Sequence, residues 1–180
     1  EMCIRDRFRL PLDESTGGHA QPINRGKHAY HGISKIQDGK VLVSVCEDTL
    51  AEAYVLVDIN EGCIIKKVAQ SAEEFLQDVS LSQPTDFSVP TLDGCSTVHG
   101  WVLPPHNMEK EKKYPVILYI HGGPHPFYTY ALTLEHQAFA AEGFGVICCN
   151  PRGSSGYGWK HQNMGDGRRT EPYYLSLIHI

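Results

Sequence analysis

The apolar run Val116–Ile120 stops abruptly at His121-Gly122-Gly123-Pro124-His125. Glycines at such a point leave amide N–H groups uncovered by side chains, so a ligand can approach the backbone closely. Donors aimed where negative charge develops on a carbonyl oxygen stabilise it, one such donor contributing roughly 3 kcal/mol. The loop therefore has the makings of an oxyanion site. Phosphate cradling would call for GxGxxG or GxxxxGK[ST], and neither occurs. His121 and His125 have the spacing of a helical metal pair, but Gly122, Gly123 and Pro124 between them oppose a helix. No metal or other cofactor is expected. His121 keeps two roles open: fixing the loop by hydrogen bonds, or touching a substrate directly.

Downstream, Asn150-Pro151-Arg152-Gly153-Ser154-Ser155 forms a second polar, turn-prone cluster. Its serines do not stand in GxSxG, the spacing that exposes a nucleophile on a strand-to-helix turn, and no GxSxG occurs elsewhere. Both are read as turn serines.

These residues need elements to hold them. "PVILYI" and "FGVICCN" are continuously apolar, as strands buried on both faces are. Between them "LTLEHQAFAAEG" suits a helix, with Leu134, Ala138 and Ala141 at three- and four-residue steps and Gly143 as its stop. Strand, helix, strand predicts a βαβ unit with a parallel sheet. His121–Pro124 then falls at a strand's carboxyl end, where open α/β sheets bind ligands. In α/β-hydrolases this loop supplies one oxyanion donor, and the residue after the nucleophile supplies the other.

The upstream text has another period. From Lys27 to about Gln83, β-rich runs are punctuated by Asp38-Gly39 and Asn60-Glu61-Gly62, which are hairpin signals. Such a meander needs neighbouring sheets, as in a β-propeller blade or half a sandwich. "SAEEFLQDVSLSQPTDF" reads as a connector, and Leu92-Asp93-Gly94-Cys95 as the turn of a further hairpin. "HNMEKEKKY" reads as a charged surface loop.

Both ends of the chain are set aside. "EMCIRDR" can be encoded as gag atg tgt ata aga gac agr, and "LSLIHI" by the reverse complement of a stretch inside it; the shared DNA matches a transposon-type sequencing adapter. The natural segment is then about Phe8–Tyr174, an internal piece of something longer. The net charge of −5 is unaffected, since two acidic and two basic residues are removed. No basic excess suggests nucleic acid or an anionic membrane, and no apolar run approaches a membrane span. Of six cysteines Cys3 belongs to the adapter; the remaining five show no CxxC, which argues for reduced thiols and a cytoplasmic protein.

Taken together, "YPVILYIHGGPH…FAAEGFGVICCNPRGSSGYG" resembles the prolyl oligopeptidase family of serine peptidases, nearest its acylaminoacyl-peptidase and dipeptidyl-aminopeptidase branch. "AYVLVDINEG" and "PTDFSVPTLDGCSTVHGWVLPP" resemble that branch's last propeller strands and the crossing into its hydrolase domain. The resemblance spans most of Lys35–Gly158. It implies a serine exopeptidase cleaving short peptides by Ser-His-Asp acyl transfer, with a propeller limiting access. Position by position, it makes the Gly123 N–H the oxyanion donor and Gly122 the residue shaping the loop. His121 takes the place where other branches carry an oxyanion tyrosine, and Arg152 organises the site near the substrate. The implied organisation is adapter residues 1–7, the end of a β-propeller at 8–85, the opening of an α/β-hydrolase domain at 86–174, and adapter residues 175–180. The sequence departs from the family after Gly158, where "MGDGRRTEPYY" keeps only Gly165-Asp166-Gly167 of an expected GDWGxxDYxD. The triad is missing too, so the segment itself is expected to be inactive. A carboxylesterase or lipase with an HGGG-like loop, or a non-catalytic binding relative, are the competing readings.

Overall fold

A computed structural model describes residues 8–9, 21–22, 27–34, 37–122 and 125–163. These divide between two compact units: Glu1–Ser80 with Thr129–Leu132, and Leu81–Tyr128 with Thr133–Ile180. The adapter-assigned ends, Gly123, Pro124 and the Gly165-Asp166-Gly167 remnant lie outside the described residues.

The first unit opens with the short pair β1 (Phe8–Arg9) and β2 (Gln21–Pro22), joined antiparallel. It continues as an antiparallel meander of β3 (Ala29–Ile33), β4 (Lys40–Glu47), β5 (Leu50–Asp58) and β6 (Cys63–Gln70), paired in chain order. The turn signals act as their chemistry dictates. Asp38 and Gly39 both take positive φ, 49° and 70°, and Gln37 and Lys40 exchange backbone hydrogen bonds of 2.9 Å across them. That is the twist-matched two-residue hairpin loop. At the β5–β6 turn the Asp58 carboxylate accepts from the Asn60 and Glu61 amides at 2.9 and 3.2 Å, bonds that hold its pKa below the ordinary value. The β4–β5 turn, at Asp48-Thr49, carries no such signal. Alternation sets the packing: Val41, Val43 and Val45 of β4 join Ala53, Val55 and Val57 of β5 and Tyr30 in one buried cluster. Ile64, Ile65 and Val68 of β6 remain exposed, as an incomplete meander should leave them.

After the short helix α1 (Glu73–Gln77), the second unit holds a mixed sheet ordered β7-β8-β10-β9, from β7 (Thr85–Pro90), β8 (Thr97–Leu103), β9 (Val116–Tyr119) and β10 (Gly145–Asn150). β7 and β8 form the expected hairpin, β8 and β10 are antiparallel, and β9 and β10 are parallel. Gly100 leaves no room for a side chain between β8 and β10: a Cβ there would lie 2.5 Å from the Cys148 carbonyl oxygen. The parallel pair is bridged by α2 (Leu134–Ala141). This helix ends in a Schellman turn: Gly143 at φ 86° donates to the Ala140 carbonyl, and Phe144 donates to that of Phe139. Gln137 fixes the helix by exchanging side-chain hydrogen bonds with the Ser82 backbone at 2.9 and 3.0 Å.

Two expectations fail here. β9 is the edge strand of its sheet and leaves Val116 and Leu118 exposed, so its apolar run is not buried on both faces. Leu134, Ala138 and Ala141 are all exposed, and α2 buries His136 and Ala140 instead. Ala140 packs with Leu103 and Val146, and a residue with no more than a methyl group is what lets the helix sit close on that sheet. Cys148 and Cys149 point to opposite faces of β10, and both are buried because this strand is covered on both sides. Burial pushes the Cys149 thiol up to about 12. No helix among the described residues is long and apolar enough to cross a membrane. The short helix α3 (Trp159–Gln162) completes the described unit.

Candidate active site

The two polar clusters of the sequence meet beyond the carboxyl ends of β9 and β10, because the parallel pairing puts both strand ends on one side of the sheet. His121 follows β9. Its Nδ1 lies 2.7 Å from the Gly122 carbonyl oxygen, which can only accept, so Nδ1 carries the proton. In the neutral ring Nε2 then accepts, and Ser154 Oγ stands 2.9 Å away as its donor. His125 repeats the device, its Nδ1 2.9 Å from the Gly153 carbonyl. Two histidines thus pin the glycine loop to the Gly153-Ser154 turn from either side of Gly123-Pro124. Gly122 is exposed, and a Cβ built on it would meet nothing within 4 Å. Its glycine is not demanded by crowding; it leaves the backbone open to an approaching molecule.

A serine hydroxyl on a histidine invites a nucleophilic reading, and the burial opposes it. Ser154 is fully buried, at 0% exposure, so no carbonyl carbon can reach its Oγ. The far nitrogen of His121 is held by the Gly122 main-chain carbonyl, the position that a triad gives to a carboxylate. Ser154 is a structural donor.

Arg152 is also buried, 4% exposed, and donates through Nη1 to Asp93 Oδ2 at 2.6 Å. The Asp93 carboxyl is held down at about 2, first by the Thr91 hydroxyl, then by Arg152 and the Cys95 amide. Behind the turn, His161 donates from Nε2 to the Pro151 carbonyl at 3.0 Å and faces Ser96 Oγ through Nδ1 at 3.0 Å. Burial lowers the His161 pKa, and the nearby Arg152 charge works in the same direction.

Beneath this lies a bracing network that the sequence reading did not identify. Asn150, 0% exposed, accepts from the Tyr128 amide at 2.7 Å and donates to the Tyr128 carbonyl at 2.9 Å and to Tyr157 Oη at 2.8 Å. Tyr157 Oη also lies 3.0 Å from His99 Nδ1, and His99 Nε2 lies 3.8 Å from Asp86. One side-chain amide therefore ties the chain leaving the glycine loop to the end of β10. Of the sequence candidates, His121, Gly122 and Arg152 are brought together around Gly153-Ser154, while Gly123 is outside the described residues. Asn150 and Tyr157 lie inside the NPRGSSGYG stretch, which was the available signal; His99 and Asp93 had none beyond their polarity.

No family model matches the chain. It is 41% identical over 151 residues to the uncharacterized peptidase YuxL of Bacillus subtilis, an alignment covering 83% of this chain and 22% of that protein. It is 39% identical over 101 residues to the dipeptidyl-peptidase 5 of Aspergillus fumigatus, covering 54% of this chain and 14% of the relative. Among solved structures, the Pyrococcus horikoshii acylaminoacyl peptidase superposes with a TM-score of 0.74 at 25% identity, over 89% of this chain and 25% of that one. A puromycin-hydrolyzing peptidase of Mycobacterium tuberculosis gives 0.65 at 25% identity, over 83% and 23%. The chain thus spans about a quarter or less of the length of these relatives.

Proposed function

We propose, for a chain whose kinship is with peptidases of the prolyl oligopeptidase family, that it carries the oxyanion loop of a serine exopeptidase acting on short peptides. The relatives' names, peptidase, dipeptidyl-peptidase and acylaminoacyl peptidase, support that substrate class. On this reading the first unit is the end of a β-propeller and the second the opening of an α/β-hydrolase domain. The observation that carries it is the doubly pinned glycine loop at the carboxyl end of β9, with open space over Gly122.

In the mechanism, the substrate carbonyl lies over Gly122-Gly123 and the Gly123 N–H donates to its oxygen as negative charge develops. Preorganisation is the contribution of His121 and His125, which fix the loop before substrate arrives, so no reorganisation is needed in the transition state. The serine that attacks and the histidine that takes its proton come from elsewhere in the parent protein, since no GxSxG occurs in this sequence. Arg152 holds the turn beside the loop through Asp93.

The test compares three proteins with a fluorophosphonate probe and a chromogenic peptide substrate. The full-length parent should label and turn over. Its Gly123→Pro variant, which removes one N–H donor, should lose on the order of a hundredfold or more in kcat. The 180-residue chain should do neither. Saturable turnover by that chain, abolished by Ser154→Ala, would overturn the assignment and make the buried serine the nucleophile.

A further inference from the structure

We propose that His125 is a substrate-binding residue of this site, its Nε2 accepting a hydrogen bond from an N–H group of a peptide; the inference rests on the peptidase reading above. A carbonyl places the proton on its ring. Nδ1 stands 2.9 Å from the Gly153 carbonyl oxygen, which can only accept, so Nδ1 donates. In the neutral ring Nε2 then keeps a lone pair, and it meets no hydrogen-bond partner among the described residues. His121 differs on this point, because its Nε2 is closed by Ser154 Oγ at 2.9 Å. One histidine commits both nitrogens to the fold. The other commits one and leaves the second unused, on an exposed side chain.

Position gives the unused nitrogen its role. Gly153 and Ser154 are consecutive and each holds one histidine, so the His125 ring stands at the same turn as His121. His121 precedes Gly122, which is exposed and around whose built Cβ nothing lies within 4 Å. This turn lies beyond the carboxyl ends of β9 and β10, where open α/β sheets bind ligands. The bond from Nδ1 also fixes the ring in advance, which leaves less ordering for a ligand to impose. What the ring offers defines the ligand group. A lone acceptor cannot engage a carbonyl or ester oxygen, whereas it matches a peptide N–H or a terminal amino group. One such hydrogen bond contributes about threefold to tenfold in affinity. Formed equally in the ground state and the transition state, it sets KM and leaves kcat alone.

The experiment uses the full-length protein and two substitutions that divide the ring's roles. His125→Asn keeps a donor where Nδ1 stands and loses the acceptor, whereas His125→Gln sets an amide oxygen near the place of Nε2 and loses the donor. The substrates are an N-acetylamino-acid p-nitroanilide, a dipeptide p-nitroanilide with a free amino terminus, and an acyloxy p-nitrophenyl ester that holds no N–H. His125→Asn should raise KM about threefold to tenfold for the N–H substrates, with kcat within about twofold, and leave the ester unaffected. A rise for both anilides assigns the bond to an amide N–H; a rise for the dipeptide alone assigns it to the terminal amine. His125→Gln should keep KM within about twofold and lose kcat, because the tie to Gly153 is gone. A side chain that only held the turn would be replaced by Asn without effect. KM unchanged in His125→Asn for every substrate, or an equal rise for the ester, would therefore overturn the proposal. Should the full-length protein turn over none of the three, the peptidase reading falls by itself. Calorimetric titration of the dipeptide p-nitroanilide then decides the proposal: an affinity threefold or more weaker in His125→Asn upholds it, and equal or absent binding ends it.

Discussion

The sheet of β3–β6 and the sheet of β7–β10 have four strands each, but they bury different chemistry. The first encloses valines, an alanine and a tyrosine, with Ser44 its one buried polar side chain among the described residues. Around the second, His99, His136, Asn150, Arg152, Ser154 and His161 are all buried. Apolar packing is non-directional and accepts small shifts, whereas a buried polar group stabilises only when its partners stand at the right distance and angle. The second unit thus carries the directional cost, and carries it beside Gly122, where the backbone is left open. Polar burial marks where geometry must be held.

The sharpest way to break this contrast is Asn150→Ala. It removes three hydrogen bonds and leaves the Tyr128 amide, its carbonyl and Tyr157 Oη without that partner. At roughly 1 kcal/mol for each hydrogen bond lost, and with Tyr157 Oη keeping His99, the expected loss is about 3 kcal/mol. Exchange should accelerate across β8 and β10 and stay unchanged across β4 and β5. Equal loosening of both sheets would mean that the polar network does not belong to one unit.

Next in size is Gly100→Ala. The added methyl would meet the Cys148 carbonyl oxygen at 2.5 Å, Phe87 at 2.6 Å and Cys149 Cβ at 2.8 Å, and two of these three neighbours belong to the central strand. Overpacking against backbone costs about 2–3 kcal/mol, measurable as a shifted urea midpoint. Gly122→Ala is its counterpart, with open space around the new methyl. The midpoint should stay put while the peptide turnover proposed for the full-length parent slows.

These residues also show what a sequence can and cannot disclose. Asp38-Gly39 and Gly143 were legible because each needs a backbone conformation that few side chains allow. Of the two parallel strands, β10 was legible because burial on both faces leaves a continuous apolar run, whereas β9 carries such a run at the sheet edge with Val116 and Leu118 exposed. The inward face of α2 was misread because its buried stripe is a histidine and an alanine, and hydrophobicity marks neither strongly. At the site, the glycine loop announced itself by composition. Its supports did not: Asp93 and Arg152 are 59 residues apart, His99 and Tyr157 are 58 apart, and Asp93 beside Gly94 reads as an ordinary turn. Long-range polar pairing leaves no periodic trace in the chain.

A third and smaller effect belongs to the apolar sheet. Val45→Ala removes two methyl groups from the fully buried cluster and should cost about 2 kcal/mol, with the loss confined to exchange in β3–β5. Because no directional partner is lost, the cluster should partly close over the gap. A cost as large as that of Asn150→Ala would erase the distinction between the two cores.

The smallest effect is one that only the polar unit should show, a dependence of its stability on mildly acidic pH. Burial lowers the pKa of His136 below the ordinary 6.5, partly offset by the neighbouring Glu135 charge, and burial likewise lowers that of His161. Between the lowered values and 6.5 the unfolded chain therefore binds more protons than the native one, and stability rises with pH across that window. The contribution is fully present above pH 6.5 and is lost as pH falls through the folded-state values. The buried set of the first sheet contains no histidine among the described residues, so its exchange should lack this slope. His136 offers the cleaner test. Its ring lies edge-on to Tyr119 at 4.7 Å, and its Nε2 meets no hydrogen-bond partner among the described residues. His136→Phe keeps an aromatic ring in an aromatic pocket and removes the proton site. Urea midpoints at pH 7.5, 6.5 and 5.5, followed by the fluorescence of buried Trp101 in a Trp159→Phe background, should fall toward acid in the parent and fall less steeply in the variant. A midpoint independent of pH in the parent, or a slope that His136→Phe leaves untouched, would show that this histidine's burial is not coupled to folding.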